Sequence, residues 1–333
     1  MNPRHVLITG GAGFIGSHLA EALLVRGDAV TIVDDLSTGS FANIEHLTGH
    51  DRFRFALDTI TNELVLDRLV SECDLIVHLA AAVGVELIVH DPVKVLECNI
   101  LGTRGVLAAA RRYRSQVMLA SSSEIYGKSA HTPMAEEDDR VLGPTTRSRW
   151  CYSSSKAVGE YLALAYHRQA GLPVVVMRFF NTVGPRQSGR YGMVVPRFVA
   201  QALAGEPLTV YGDGSQSRCF CDVSDTVAAI LKLADCPGAV GGVFNIGSTE
   251  EVTILELARR VLATVQGALP PENIGALELA GLVRRIPFER AYESGFEDMA
   301  RRVPDISRIA ALTGWRPRIS LDETLRRVAA ATP

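Results

Sequence analysis

His5-Val6-Leu7-Ile8-Thr9-Gly10-Gly11-Ala12-Gly13-Phe14-Ile15-Gly16 runs an apolar, β-branched stretch straight into three spaced glycines, and the reading of these residues decides the fold. A short apolar run bounded by glycine reads as a buried strand. From residue 16 to 26 the pattern becomes helical, and Gly27 closes it just past its end. Strand, glycine turn and helix together let a phosphate approach bare backbone at a helix N-terminus, with Gly10, Gly13 and Gly16 keeping side chains out of the way. Phe14 and Ile15 belong to the same loop. The next apolar run ends in Asp34-Asp35, about 20 residues on. A carboxylate there accepts from both hydroxyls of an adenosine ribose and repels a 2′-phosphate, so the expected cofactor is NAD.

Outward from this unit the alternation continues. Strands are predicted at 5–9, 29–34, 52–56, 75–79, 116–120 and 174–179, with helices at 16–26, 62–71, 92–113 and 153–170. This is an α/β chain with a Rossmann-type, doubly wound parallel sheet and helices on both faces. Asp58, after the third strand, is placed either against the adenine or as a loop cap. Beyond Phe180 the chain turns to Gly-, Pro- and Arg-rich loops around a helix at 195–204, then returns through 208–210, 219–223, a helix from 224 and a strand at 243–246. Helices at 254–265 and 321–330, with the segment 278–304, complete a smaller lobe. The expected domains are 1–180 with 219–248 for NAD, and 181–218 with 249–333 for substrate.

The 333 residues are 47% hydrophobic and 21% charged, with a net charge of -3 and no run of like charges. That balance excludes the electrostatic footprint of a nucleic-acid or anionic-membrane binder. No apolar run reaches membrane-spanning length, and the start leaves no room for an export signal. The six cysteines lack C-x-x-C spacing, so reduced thiols in the cytoplasm are expected. Cys219-x-Cys221 reads as a pair of buried apolar side chains, and no metal is expected.

Tyr152 and Lys156 stand four residues apart at the start of a helix and so share a face. An ammonium near a phenol favours the phenolate, which lets Tyr152 take a proton from an alcohol as hydride leaves its carbon. The run Ser121-Ser122-Ser123-Glu124-Ile125-Tyr126-Gly127 ends the fifth strand, at the sheet edge where ligands of open α/β folds bind. Ser121 is read there as satisfying backbone groups.

The glycine loop, the serine pair and Tyr152-x-x-x-Lys156 together resemble the extended short-chain dehydrogenase/reductase family of NAD-dependent sugar-nucleotide epimerases, dehydratases and decarboxylases. Further matching stretches are His78-Leu79-Ala80-Ala81, Arg178 to Arg186 and Leu208 to Arg218. The resemblance implies a catalytic set of Ser122, Tyr152 and Lys156, flanked by Ser123 and Glu124. It implies that Leu79, Ala80, Ala81 and Asn99 frame the cofactor, that Phe180 borders its nicotinamide and that Asn181 holds substrate phosphates. Val195 to Phe198 and Thr209 to Tyr211 border the base, and Arg218 and Arg302 face the diphosphate. It also implies a homodimer through helices 92–113 and 153–170.

Glu124 separates the possible reactions. Simple 4-epimerases usually carry a small or hydroxylic residue there, dTDP-glucose dehydratases carry Asp-Glu, and GDP-mannose dehydratases generally use NADP. A carboxylate with Asp34 therefore resembles the UDP-glucuronate decarboxylases, as do Gln201 to Gly212 and Arg302-Val303-Pro304-Asp305-Ile306. In that reading Glu124 positions the sugar and relays a proton, while Arg302 steadies the carboxylate or enolate. The arginine of their Gly-Arg-Val-Val stretch is missing from Gly192-Met193-Val194-Val195, with Arg190 close by, and 286–299 also suits an epimerase-like branch. A 4-epimerase of UDP-glucuronate or UDP-glucose is the alternative. An inactive NAD-binding regulatory protein is a third reading, opposed by the retention of Ser122, Tyr152 and Lys156.

Overall fold

The computed structural model describes residues 3–189, 192–267, 270–287, 290, 299 and 301–332, apart from the side chains of Val85, Glu86 and Val89. In chain order, β1 (His5–Thr9), α1 (Phe14–Arg26), β2 (Ala29–Asp34), β3 (Phe53–Leu57), α2 (Glu63–Ser71), β4 (Leu75–His78), α3 (Val85–His90), α4 (Pro92–Glu97), α5 (Thr103–Tyr113), β5 (Gln116–Ser122), α6 (Arg149–Ala170) and β6 (Val174–Phe179) build the first half. With β11 (Val243–Ile246) the strands form one parallel sheet in the order β11-β6-β5-β4-β1-β2-β3. The chain reverses direction across the sheet between β3 and β4, which opens a crevice above the carboxyl ends of β1 and β4.

Strand alternation fills both faces of this sheet. Val6, Ile8, Ile32, Met177 and Phe244 pack on one side under Leu19, Leu23, Ile230 and Leu233, whereas Leu7, Val33, Ile76 and Val176 pack on the other under Val106, Leu107 and Leu66. Each fully buried Leu, Ile or Val contributes about 1.5–3 kcal/mol against leaving it in water. A separate core of Phe198, Leu208, Val210, Leu257, Val261, Leu277 and Leu325 holds a second lobe. It is built on α7 (Val194–Leu203), β8 (Leu208–Tyr211), α9 (Ile254–Gln266), α10 (Ile274–Leu279), β13 (Val283–Ile286) and the helix Leu321–Ala331. Ile306, Ile309 and Trp315 pack with the main-sheet core.

Two local features bear on the site. Gly10 takes φ 71°, and a Cβ there would stand 2.7 Å from the Ala80 nitrogen, so β1 can turn into α1 only with glycine at this position. The helix expected over 92–113 is interrupted by a π turn at Cys98–Gly102 between α4 and α5. That extra residue in the turn points Asn99 inward, where Oδ1 accepts from the Ala82 N–H at 2.9 Å and Nδ2 donates to Ser155 Oγ at 3.1 Å.

Candidate active site

A cavity of about 1340 Å³ runs from the glycine loop, over the carboxyl ends of the central strands, to the second lobe. Gly10, Gly13, Phe14, Ile15, Gly16, Asp34, Asp35, Asp58, Leu79, Ala80 and Ala81 all line its first half. Asp34 accepts from the Ala12 N–H at 3.0 Å and the Leu36 N–H at 2.9 Å, which fixes its carboxylate at the end of β2. Burial raises its pKa and the two backbone donors counter this. Asp58 caps its own loop, accepting from the Thr59 N–H at 2.7 Å and from Asn62, while still facing the cavity. A Cβ at Gly16 would stand 2.5 Å from the Gly10 carbonyl oxygen, and one at Gly13 would meet only that oxygen, at 3.1 Å. Bare backbone at the start of α1 and a fixed carboxylate at the end of β2 fit an adenine dinucleotide.

Beneath this half, His78 bridges Thr9 Oγ1 at 2.7 Å and Thr103 Oγ1 at 3.0 Å. Burial, aided by the charge of Lys156, pushes its pKa down to about 3, so the imidazole stays neutral. Asn99 does not line the cavity. It stands behind the lining, holding Ala82 from both sides, so its effect on a cofactor is through that backbone.

At the centre, β5 delivers Ser122 and passes into a 3-10 turn over Ser123–Tyr126. Ser122, Ser123, Glu124, Tyr152 and Lys156 converge on the cavity. Ser122 Oγ accepts from the Glu124 N–H at 3.2 Å, and its side chain also hydrogen-bonds the Tyr152 phenol. Lys156 Nζ donates to the Ala120 carbonyl at 3.0 Å and lies 5.9 Å from the centre of the Tyr152 ring. Burial brings the lysine down to about 8. The expected lowering of the Tyr152 pKa is corrected: the phenol is shifted upward, by burial first and then by the charge of Glu124, while Lys156 donates to the strand carbonyl. Ser121 serves the scaffold, donating to Glu160, whose carboxylate receives Arg178 at 2.7 and 3.0 Å.

Glu124 is gripped from two sides. Arg302 Nη2 donates to its Oε1 at 2.7 Å, and Arg149 Nη2 lies 2.8 Å from its Oε2. Burial would raise this carboxyl, but the two guanidiniums override it and hold the group at about 2. Arg302 also reaches Ser123 Oγ and Asn181 Oδ1, both at 3.5 Å, and its Nε is buried with no hydrogen-bond partner among the described residues. Arg149 was not singled out from sequence. Its only signal is its place three residues before Tyr152 on one helix face.

In the second lobe, Asn181, Val195, Tyr211 and Arg218 line the cavity. Asn181 adopts φ 35°, outside the usual range for a side-chain-bearing residue, and is pinned by Nδ2 donating to the Cys219 carbonyl at 2.9 Å. Arg197, unremarked as a single residue in the sequence, covers the Tyr211 ring at 4.2 Å and donates to the Thr209 carbonyl at 3.1 Å. Two expectations are corrected. Thr209 does not line the cavity, since its N–H and hydroxyl are both taken by Gln201 Oε1 at 3.0 and 3.3 Å. The Phe180 ring is fully buried beside Tyr126, and Phe179, one residue earlier, faces the cavity instead. Arg190 lies outside the described residues.

Comparison with known proteins agrees with this architecture. A model of the family described as GDP-mannose 4,6 dehydratase matches residues 7–328. UDP-N-acetyl-alpha-D-glucosaminuronate decarboxylase of Bacillus cytotoxicus is 39% identical, over 97% of this chain and 96% of its own. UDP-glucuronic acid decarboxylase 1 of Xenopus tropicalis is 37% identical, over 97% of this chain and 71% of its own. Among solved structures, UDP-glucuronic acid 4-epimerase from Bacillus cereus, in complex with UDP-4-deoxy-4-fluoro-glucuronic acid and NAD, superposes with a TM-score of 0.84 at 27% identity, covering 98% of each chain.

Proposed function

Since the chain belongs to the GDP-mannose 4,6-dehydratase family, we propose that it is an NAD-dependent UDP-glucuronate decarboxylase that forms UDP-xylose through a 4-keto intermediate. The observation that carries this reading is the Glu124 carboxylate, ionised between Arg302 and Arg149 and electrostatically coupled to the Tyr152 phenol. Bound NAD supplies the hydride acceptor and donor for C4 of the sugar. Tyr152, aligned by Ser122, takes the C4 hydroxyl proton and later gives it back. Burial and the Glu124 charge keep the phenol protonated in the free site, so Tyr152 must first release its own proton to solvent before it takes that of the C4 hydroxyl. A ketone at C4 lies β to the C5 carboxylate, so the electrons of the breaking C5–CO2 bond flow into an enolate, and C5 then takes a proton. Arg302, with an unused buried Nε, steadies that negative charge. Glu124, held at about 2, acts as an ionised acceptor that positions the sugar. The NAD-bearing Gly10, Gly13, Gly16 and Asp34, with Asn181 and Arg218 toward the diphosphate and Val195 and Tyr211 beside the base, complete the proposed site.

The same reading takes the chain as two lobes, 1–180 with 219–248 and 181–218 with 249–333, with Ile306, Ile309 and Trp315 of the second range packing on the main-sheet core. It assembles the chain as a homodimer: Val93, Leu101 and Tyr161, each more than half exposed, lie along α4, the π turn and α6. No helix among the described residues is long and apolar enough to cross a membrane, and the six free cysteines suit the reducing cytoplasm. Incubation with UDP-glucuronate and NAD tests the reaction. Release of CO2 with UDP-xylose supports it, and a C4-inverted product of unchanged mass replaces it with the 4-epimerase reading.

A further inference from the structure

Resting on the decarboxylase reading, we propose that Arg149 is a positioning residue: it holds Glu124 ionised and in place while Arg302 transfers its donors from Glu124 to the substrate carboxylate. Arg302 has one short bond, to Glu124, two long ones at 3.5 Å and a buried, unpartnered Nε. It therefore has spare donors for an incoming anion, and those donors and the one on Glu124 belong to a single rigid fork. Whenever that fork turns toward substrate, Glu124 loses its Oε1 partner. A buried carboxylate without a cation picks up a proton, and a protonated Glu124 could neither accept from the sugar nor keep its orientation.

Arg149 prevents this by geometry. It is 4% exposed at the start of α6, its Nη2 is 2.8 Å from Oε2, and its guanidinium rests over the Trp150 ring at 5.7 Å. It is thus tied to the helix that carries Tyr152 and grips the oxygen that Arg302 leaves free. The Tyr152 phenol from α6 is electrostatically coupled to Glu124, and Ser123 bonds the same Arg302 guanidinium. Lys128 lies over Trp150, 5.8 Å from the ring centre. Among the cations of the described residues, only Arg149 and Arg302 pair directly with the carboxylate.

The test is the pH dependence of kcat for CO2 release from UDP-glucuronate in wild type, Arg149→Lys, Arg149→Gln, Glu124→Gln and the Glu124→Gln/Arg149→Gln double variant. With one guanidinium removed, Glu124 protonates at higher pH. Arg149→Gln should therefore move the acidic limb up by a pH unit or more, with about a tenfold loss for each unit below the new midpoint. Arg149→Lys should bring the limb partway back. In the Glu124→Gln background, Arg149→Gln should add less than about twofold, because its effect runs through the carboxylate. An unmoved limb in a folded Arg149→Gln protein, or a full additive loss in the double variant, overturns the role of Arg149 and leaves the decarboxylase reading standing. If Arg149→Gln does not fold, the limb in Arg149→Lys decides, an unmoved one overturning the proposal. Absence of CO2 from wild type overturns both.

Discussion

Replacing Glu124 by Gln keeps its shape and removes one charge, so its consequences can be worked from the site. The carboxylate is 14% exposed, between guanidiniums that are 5% and 8% exposed. An amide can satisfy one arginine through its oxygen but presents N–H groups to the other. Breaking one side of a buried pair costs about 3–5 kcal/mol, and the surviving neutral hydrogen bond returns about 1 kcal/mol. A net loss of about 2–4 kcal/mol in unfolding free energy follows at pH 7. The folded pKa of Glu124, about 2, lies below its ordinary 4.5. The group therefore stabilises the fold above about pH 4.5, and this contribution fades as pH falls toward 2. The deficit of Glu124→Gln in urea titrations should shrink over that same interval. For activity, loss of the charged acceptor that orients the sugar costs on the order of 100-fold. That loss should fall on CO2 release. C4 oxidation, followed as NADH formation in a single turnover, should persist with its rising limb moved to lower pH, because the Glu124 charge that helps hold the phenol proton is gone. Wild-type CO2 release by Glu124→Gln would refute the assignment.

Other substitutions test separate parts of the account. Asp34→Ser should weaken NAD binding, measured by calorimetry, and narrow its advantage over NADP, since the carboxylate fixed by Ala12 and Leu36 is what repels a 2′-phosphate. An unchanged preference would remove Asp34 from cofactor selection. Arg178→Met strands the buried Glu160 and removes donors to Tyr126 and the Glu136 carbonyl, so denaturant unfolding should show a loss of about 3–5 kcal/mol. Gly16→Ala puts a methyl 2.5 Å from the Gly10 carbonyl oxygen, and the glycine loop should lose NAD affinity while the isolated second-lobe core is untouched.

The sheet was legible because its strands are buried on both faces and read as apolar runs punctuated by glycine. The first two strands, the sixth and the strand at 243–246 end where the sequence predicts, and the other three shift by one or two residues. The π turn at Cys98–Gly102 was hidden, since a helix with one inserted residue keeps nearly the same apolar pattern. Helix α3, six residues long, and the helix Ser307–Thr313, seven residues long, are too short to declare a helical period. Glycine loop, Asp34, Ser122, Tyr152 and Lys156 were found by local spacing. Arg149 was missed because its partner Glu124 arrives from the 3-10 turn after β5, so only the folded chain brings them together. Phe180 and Phe179 were confused for a related reason: at a strand end, one residue decides between core and cavity. Thr209 has its donors occupied by Gln201 of the preceding helix, a pairing that the residues of the strand alone do not announce.

The central claim is that one site oxidises C4, releases the neighbouring carboxylate as CO2 and then restores C4. UDP-glucuronate carrying deuterium at C4, turned over with NAD in ordinary water, tests it directly by mass spectrometry and NMR of the product. The account predicts UDP-xylose that retains the deuterium at C4 and carries a solvent proton at C5. Deuterium washed out of C4, or CO2 released with no deuterium found on the cofactor in a quenched turnover, would contradict it.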